Sequence, residues 1–206
     1  MMHFLIASCL TLAVATPALA QQPMPIPGRA DAAAVEAGNY KVDMGHTQVL
    51  WQLNHLGFSL FDGQFGGVTG TLVLDPKNPA AAKLNVTIPM SGLSTTVGKL
   101  TEHLSTPDFF DSAKYPTATF VSTSVMAHGT TAHIIGNLTL HGVTKPVTLV
   151  TNFVGAGKGM FPPKATNVGF EATATIKRSD FGVGYGIPAV GDEVKLRINA
   201  AFEKVN

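Results

Sequence analysis

The chain has one cysteine, Cys9, inside an apolar run at its N-terminus. The remainder has none, which excludes disulfides, thiolate metal sites and a cysteine nucleophile and fits an oxidising compartment. Charge is also scarce: 14 basic and 13 acidic residues leave a net charge of +1, so nothing marks a polyanionic partner such as nucleic acid. Beyond the N-terminal run no apolar stretch reaches membrane-spanning length. With one Trp and three Tyr the chain lacks the aromatic girdles of an outer-membrane barrel, the rival all-β reading. His46, His55, His103, His128, His133 and His141 stand in no zinc spacing, so no metal site is expected. There is no nucleophile elbow, P-loop or dinucleotide fingerprint. Asp108 and Asp111 read as a solvated or capping pair, not as a catalytic dyad. No enzymatic activity is expected.

The N-terminus reads as an export signal. Residues from Phe4 to Val14 are apolar, and Ala18-Leu19-Ala20 fits the pattern that a signal peptidase cuts. Residues 1–20 are therefore expected to be removed, leaving Gln21 as the mature start and the periplasm as the destination. Ile6-Ala7-Ser8-Cys9 resembles a lipoprotein box, but Cys9 has almost nothing before it and reads as part of the removed run. Residues 21–38 are rich in Pro, Ala and Gly without a period, as in a flexible leader. One domain is expected over residues 39–206.

From Tyr40 onward short segments alternate apolar and polar residues between Gly, Pro and Asn clusters. Val49, Trp51 and Leu53 share one face of a strand over 47–54. Val68, Leu72 and Leu74 do so over 68–75, and Leu84, Val86 and Ile88 over 83–88. Similar sets follow around Phe120, Leu138, Phe153, Phe170 and Ile198. A period of two with one apolar face means a sheet with one side buried. About eight to ten such segments predict an all-β fold, an extended antiparallel barrel, because closure removes exposed edges. The stretch from Gly98 to Tyr115 breaks this texture and predicts one or two short helices near 98–112, with Thr106 capping the second. Aromatic residues gather near bends: Phe58, Phe61, Phe65, Phe109, Phe110 and Phe181. A barrel of this size has room for packed side chains or for one ligand, and both arrangements suit these residues.

A set of motifs in one order resembles a known family. They are Tyr40-Lys41-Val42-Asp43 before His46-Thr47; His55-Leu56-Gly57; Gly63-Gln64-Phe65; Glu102-His103-Leu104 through Asp108-Phe109-Phe110-Asp111; Tyr115-Pro116; Gly136-Asn137-Leu138-Thr139-Leu140-His141-Gly142-Val143-Thr144-Lys145-Pro146-Val147; and Arg178-Ser179-Asp180-Phe181-Gly182. They resemble the YceI-like proteins, the periplasmic polyisoprenoid-binding family, over essentially the whole domain. Thr47 stands where that family usually has Ser, and Thr101-Glu102 where an Arg-Asp-like pair often precedes the His-Leu.

The resemblance implies a lipocalin-like barrel with a helical excursion. Its long interior channel would hold an amphiphile with an isoprenoid or acyl chain: a polyisoprenoid, an isoprenoid quinone or a fatty-acyl lipid. No cofactor beyond that lipid is implied, and a homodimer is compatible with it. The expected lining is Val49, Trp51, Leu53, Leu72, Val86, Phe120, Leu138 and Phe170, with Phe58, Phe65, Phe110 and Phe181 from the bends. Arg178, oriented by Asp180, is the candidate near a polar head; the alternative is an Arg178–Asp180 pair that closes a turn. The competing function is a filled barrel that serves stress response or protein interaction without a lipid.

Overall fold

The computed structural model describes residues 24–205. The expected export signal lies outside them. The described chain forms eleven strands and one α-helix. The strands are β1 (Gly38–Val42), β2 (Gln48–His55), β3 (Ser59–Phe65), β4 (Thr69–Leu74), β5 (Lys83–Pro89), β6 (Leu93–Ser94), β7 (Thr117–His128), β8 (Thr131–Leu140), β9 (Val143–Lys158), β10 (Thr166–Lys177) and β11 (Glu193–Lys204). The helix α1 spans Gly98–Leu104.

All pairings are antiparallel. Strands β1, β4, β5, β7, β8, β9, β10 and β11 form a ring that closes where β11 pairs back onto β1. This is the extended antiparallel barrel that the alternation predicts. Strand β11 shares one edge between two partners. Its residues Phe202–Lys204 face β1, and Lys195–Asn199 face β2. Strands β1 and β2 are thus successive halves of one wall, and β4 and β3 pair with them in the same way. At the break between β1 and β2 the Thr47 hydroxyl donates to the Ala201 carbonyl at 3.1 Å and accepts from the Ala201 amide at 3.0 Å. Any hydroxyl residue serves there, which accounts for the Thr in place of Ser.

The turns follow from local chemistry. In the β2–β3 hairpin Leu56 and Gly57 both have positive φ (58° and 73°), the handedness that suits the twist of paired strands. The β8–β9 hairpin uses His141 and Gly142 in the same way, with φ of 51° and 76°. Close approach fixes Gly63 across from Trp51: a Cβ there would lie 2.1 Å from the indole ring.

Strand β6 pairs only with the end of β3, at Leu93 and Ser94. The wall between β6 and β7 is therefore not continued by strands; residues 98–115 fill it. Of the one or two short helices expected near 98–112 one forms, and the structure corrects the cap expected at Thr106. Residues 107–110 form turns, with the Phe109 and Asp111 amides both donating to the Thr106 carbonyl. The Thr106 hydroxyl donates back to the His103 carbonyl at 2.7 Å and so closes α1 instead of capping a new helix.

The stretch read as a leader is packed on the barrel from Arg29 onward. Arg29 bridges to Ala156 of β9, and Asp31 accepts from the Ala33 amide to start a single 3-10 turn over Ala32–Ala34. Glu36 then pairs with Lys158 at 2.6 Å and Lys204 at 2.8 Å. These two lysines hold its carboxyl well below the ordinary value, at about 2.

Candidate binding tunnel

The inward faces of the strands leave three adjoining apolar chambers. The first, of about 190 Å³, lies under α1 and is lined by Trp51, Phe65, Leu104, Phe110 and Leu196 among others. The middle one, of about 90 Å³, is bounded by Val86, Phe120, Leu138 and Ile198. The third, of about 190 Å³, lies at the opposite end against Leu72, Phe153, Phe170 and the segment that carries Ala32 and Val35. They share walls. Val49, Ile88, Leu138 and Leu196 border the first and middle chambers; Leu84, Leu149, Ile198 and Phe202 border the middle and third. Strand β11 lines the whole series through Val194, Leu196, Ile198, Ala200 and Phe202. At ~3.3 Å per residue that wall is roughly 26 Å long.

The expected lining is distributed along this series. Val49, Trp51, Leu53, Phe65, Phe110 and Leu138 face the first chamber. Val86 and Phe120 face the middle, and Leu72 and Phe170 the third. Three expected residues lie elsewhere. Phe58 is 88 % exposed at the β2–β3 turn, because it follows the two positive-φ residues that reverse the chain. Phe181 is buried in the core cluster that includes Phe120, Leu138, Leu149 and Ala172, but it borders none of the chambers itself. Asp180 borders none either.

Arg178 borders the first chamber and is 6 % exposed. Its donors are taken up by main-chain oxygens of the loop that precedes β11. Nε donates to Gly191 at 2.8 Å, Nη1 to Val183 and Tyr185 at 2.9 Å each, and Nη2 to Val190 at 2.8 Å. This corrects the expected Arg178–Asp180 partnership, because no hydrogen bond joins these two side chains among the described residues. The carboxylate that acts on Arg178 is Asp192. Asp192 itself accepts from the Ser179 amide and hydroxyl, which lower its pKa. Burial pulls the Arg178 guanidinium below its ordinary value, while the carbonyl cage supplies the acceptors that a buried cation needs.

Alternation alone did not mark several lining residues. Val183 and Val190 come from a loop without period, and Arg178 folds them over the first chamber. Ala32 and Val35 come from the segment read as a leader. The carbonyl spacing and small residues around them carry no signal in a single sequence. The histidines do not converge: His46 pairs with Asp43 at 2.7 Å, and His55 stands at the other end of β2 beside Phe61. The described residues contain no cluster of three potential metal ligands.

A closed antiparallel barrel with an apolar interior and a short helix over one end defines a lipocalin-like fold. The chain belongs to the YceI family, since the YceI-like domain model matches residues 40–202. It is 42 % identical over 170 residues to protein YceI of Escherichia coli O157:H7, covering 82 % of this chain and 88 % of that one. Among solved structures it resembles BcnA of Burkholderia cenocepacia, with a TM-score of 0.69, 25 % identity and coverage of 78 % and 98 %. It also shares its fold with a polyisoprenoid binding domain from Saccharophagus degradans, at TM-score 0.62 and 13 % identity, covering 82 % and 100 %. No helix among the described residues is long and apolar enough to cross a membrane.

Proposed function

We propose that this protein is a periplasmic binding protein that sequesters or carries a long-chain apolar lipid inside its barrel. The ligand would be a polyisoprenoid, an isoprenoid quinone or a fatty-acyl amphiphile. The observation that carries this reading is the alignment of the three chambers along one face of β11. An elongated apolar molecule matches that shape, whereas a compact ligand would use one chamber and leave the others void. Each buried methylene contributes about 0.8 kcal/mol, so a long chain has ample driving force. Ordering a flexible chain offsets much of it, and chain-length selectivity is weak because methylene-scale differences discriminate little. The export signal expected over residues 1–20, with mature chain from Gln21, supports the periplasmic location.

The test is native mass spectrometry of the protein purified from a periplasmic extract, followed by organic extraction. A stoichiometric isoprenoid, quinone or acyl species is expected. A clean apo mass that no long-chain lipid shifts would overturn the reading in favour of a barrel that works through protein contacts.

A further inference from the structure

The end of the barrel at the first chamber carries Lys99, Glu102 and Asp108 on and just after α1, and two further segments that hold no charge. Beside α1 these segments are the β2–β3 hairpin and the loop before β11. From Gln48 to Phe61, and again from Phe181 to Gly191, the chain contains no Asp, Glu, Lys or Arg. The two segments are joined: the Leu56 amide donates to the Ala189 carbonyl at 2.9 Å, the Gly191 amide to Asn54 at 2.8 Å, and His55 bridges to Val190. These two uncharged segments present Leu56, Phe58, Leu60 and Tyr185 to solvent, at 46, 88, 58 and 53 % exposure. The opposite end carries Arg29, Asp31, Lys77, Lys158 and Lys164, and it is crossed by the segment that Glu36 ties to Lys158 and Lys204.

The hairpin reverses through a left-handed Leu56, a conformation costly for a side chain larger than glycine, and projects Phe58 outward. The residues on either side of this turn, His55 and Phe61, line the first chamber. The exposed apolar edge is therefore continuous with the chamber wall. A clustered apolar edge of this kind marks an interaction surface. Absence of charge at the hairpin tip suits its insertion among acyl chains, and Tyr185, packed against His103 beside Asp108, suits the headgroup level.

We propose that this edge docks on the surface of a lipid bilayer, with Phe58 as the inserting residue, and that lipid passes between membrane and first chamber beside the hairpin. This rests on the reading of the interior as a lipid site. Docking is driven by apolar insertion, so it is nearly independent of salt and of anionic lipid content.

The experiment is co-sedimentation of the purified protein with phosphatidylcholine vesicles, with and without phosphatidylglycerol, comparing the wild type with Phe58→Asp and Phe161→Asp. Phe161 is 79 % exposed at the opposite end and serves as the control. Phe58→Asp is expected to weaken vesicle binding about tenfold or more while leaving the thermal melt unchanged. Phe161→Asp is expected to bind as the wild type does. Binding of a polyprenol supplied from detergent micelles, read by native mass spectrometry, is expected to be equal in all three proteins. Failure of the wild type to sediment, equal sedimentation of Phe58→Asp, loss in Phe161→Asp, or a Phe58-dependent dimer in analytical ultracentrifugation would each overturn the docking surface. Absence of polyprenol from all three proteins would overturn the lipid reading of the interior instead, whatever the vesicles show.

Discussion

The Arg178 Nη1 lies 2.9 Å from the Val183 carbonyl oxygen, and the Val183 side chain borders the first chamber. A buried cation thereby holds a loop that has little regular structure of its own. Truncation leaves several buried carbonyls without a donor. Arg178→Ala is expected to lower the unfolding free energy by about 3 kcal/mol. Arg178→Lys is expected to recover only part of this, because an ammonium cannot reproduce the spread of the guanidinium donors. Urea denaturation measures both; a loss below about 1 kcal/mol for the Ala variant would remove the carbonyl cage from the account.

Glu36 supplies a pH signature. Its pKa falls from the ordinary 4.5 to about 2 on folding because Lys158 and Lys204 bond its carboxylate. A depressed carboxyl stabilises the fold fully above the unfolded value, and this stabilisation is lost as pH falls through the folded one. The wild type is therefore expected to exceed Glu36→Gln in denaturant midpoint above pH 4.5, with the gap closing toward pH 2. Limited proteolysis near Arg29 is expected to be faster in the variant at neutral pH. A gap that is constant across this range would mean that the segment before β1 is held by something other than Glu36.

The length of the tunnel is open to a direct test at Ala200, which borders both the middle and third chambers. Ala200→Trp fills that junction. Binding of a polyprenol is expected to weaken by about tenfold or more, equivalent to 1.4 kcal/mol, while a short chain such as octanoate still occupies the first chamber. Isothermal titration with both ligands separates the cases. Equal weakening of both would mean that the barrel had been distorted, not blocked.

Trp51 is the single tryptophan of the chain and lines the first chamber but neither the middle nor the third, so within the barrel its fluorescence reports on the first. A quinone head seated there is expected to quench it, and a polyprenol without a head is not. Stoichiometric quinone binding without quenching would place the head in the third chamber.

The same indole packs against Gly63, where a methyl group would overlap its ring. Gly63→Ala is expected to cost about 1–3 kcal/mol and to shift the Trp51 emission to the red. An unchanged spectrum and stability would show that the β2–β3 pair can yield without moving the ring.

The sequence by itself determined the barrel and much of its inner face. A period of two puts Trp51, Leu72, Phe120 and Phe170 on the buried side whatever the order of the strands, because a strand's side chains alternate by covalent geometry. Turn chemistry was equally local: His141-Gly142 needed no distant partner to reverse the chain. Tertiary structure alone decided the rest. Phe58 looks like its aromatic neighbours in sequence, and only the three-residue reversal that ends in it turns it out to solvent. Arg178 was visible as a charge near a bend, but its partners are carbonyls, which carry no side-chain signature. The segment before β1 resembles a leader in composition; it is held because folding brings Lys158 and Lys204 to Glu36. Local periodicity records which face a residue takes, whereas contacts between distant segments exist only once the barrel has closed.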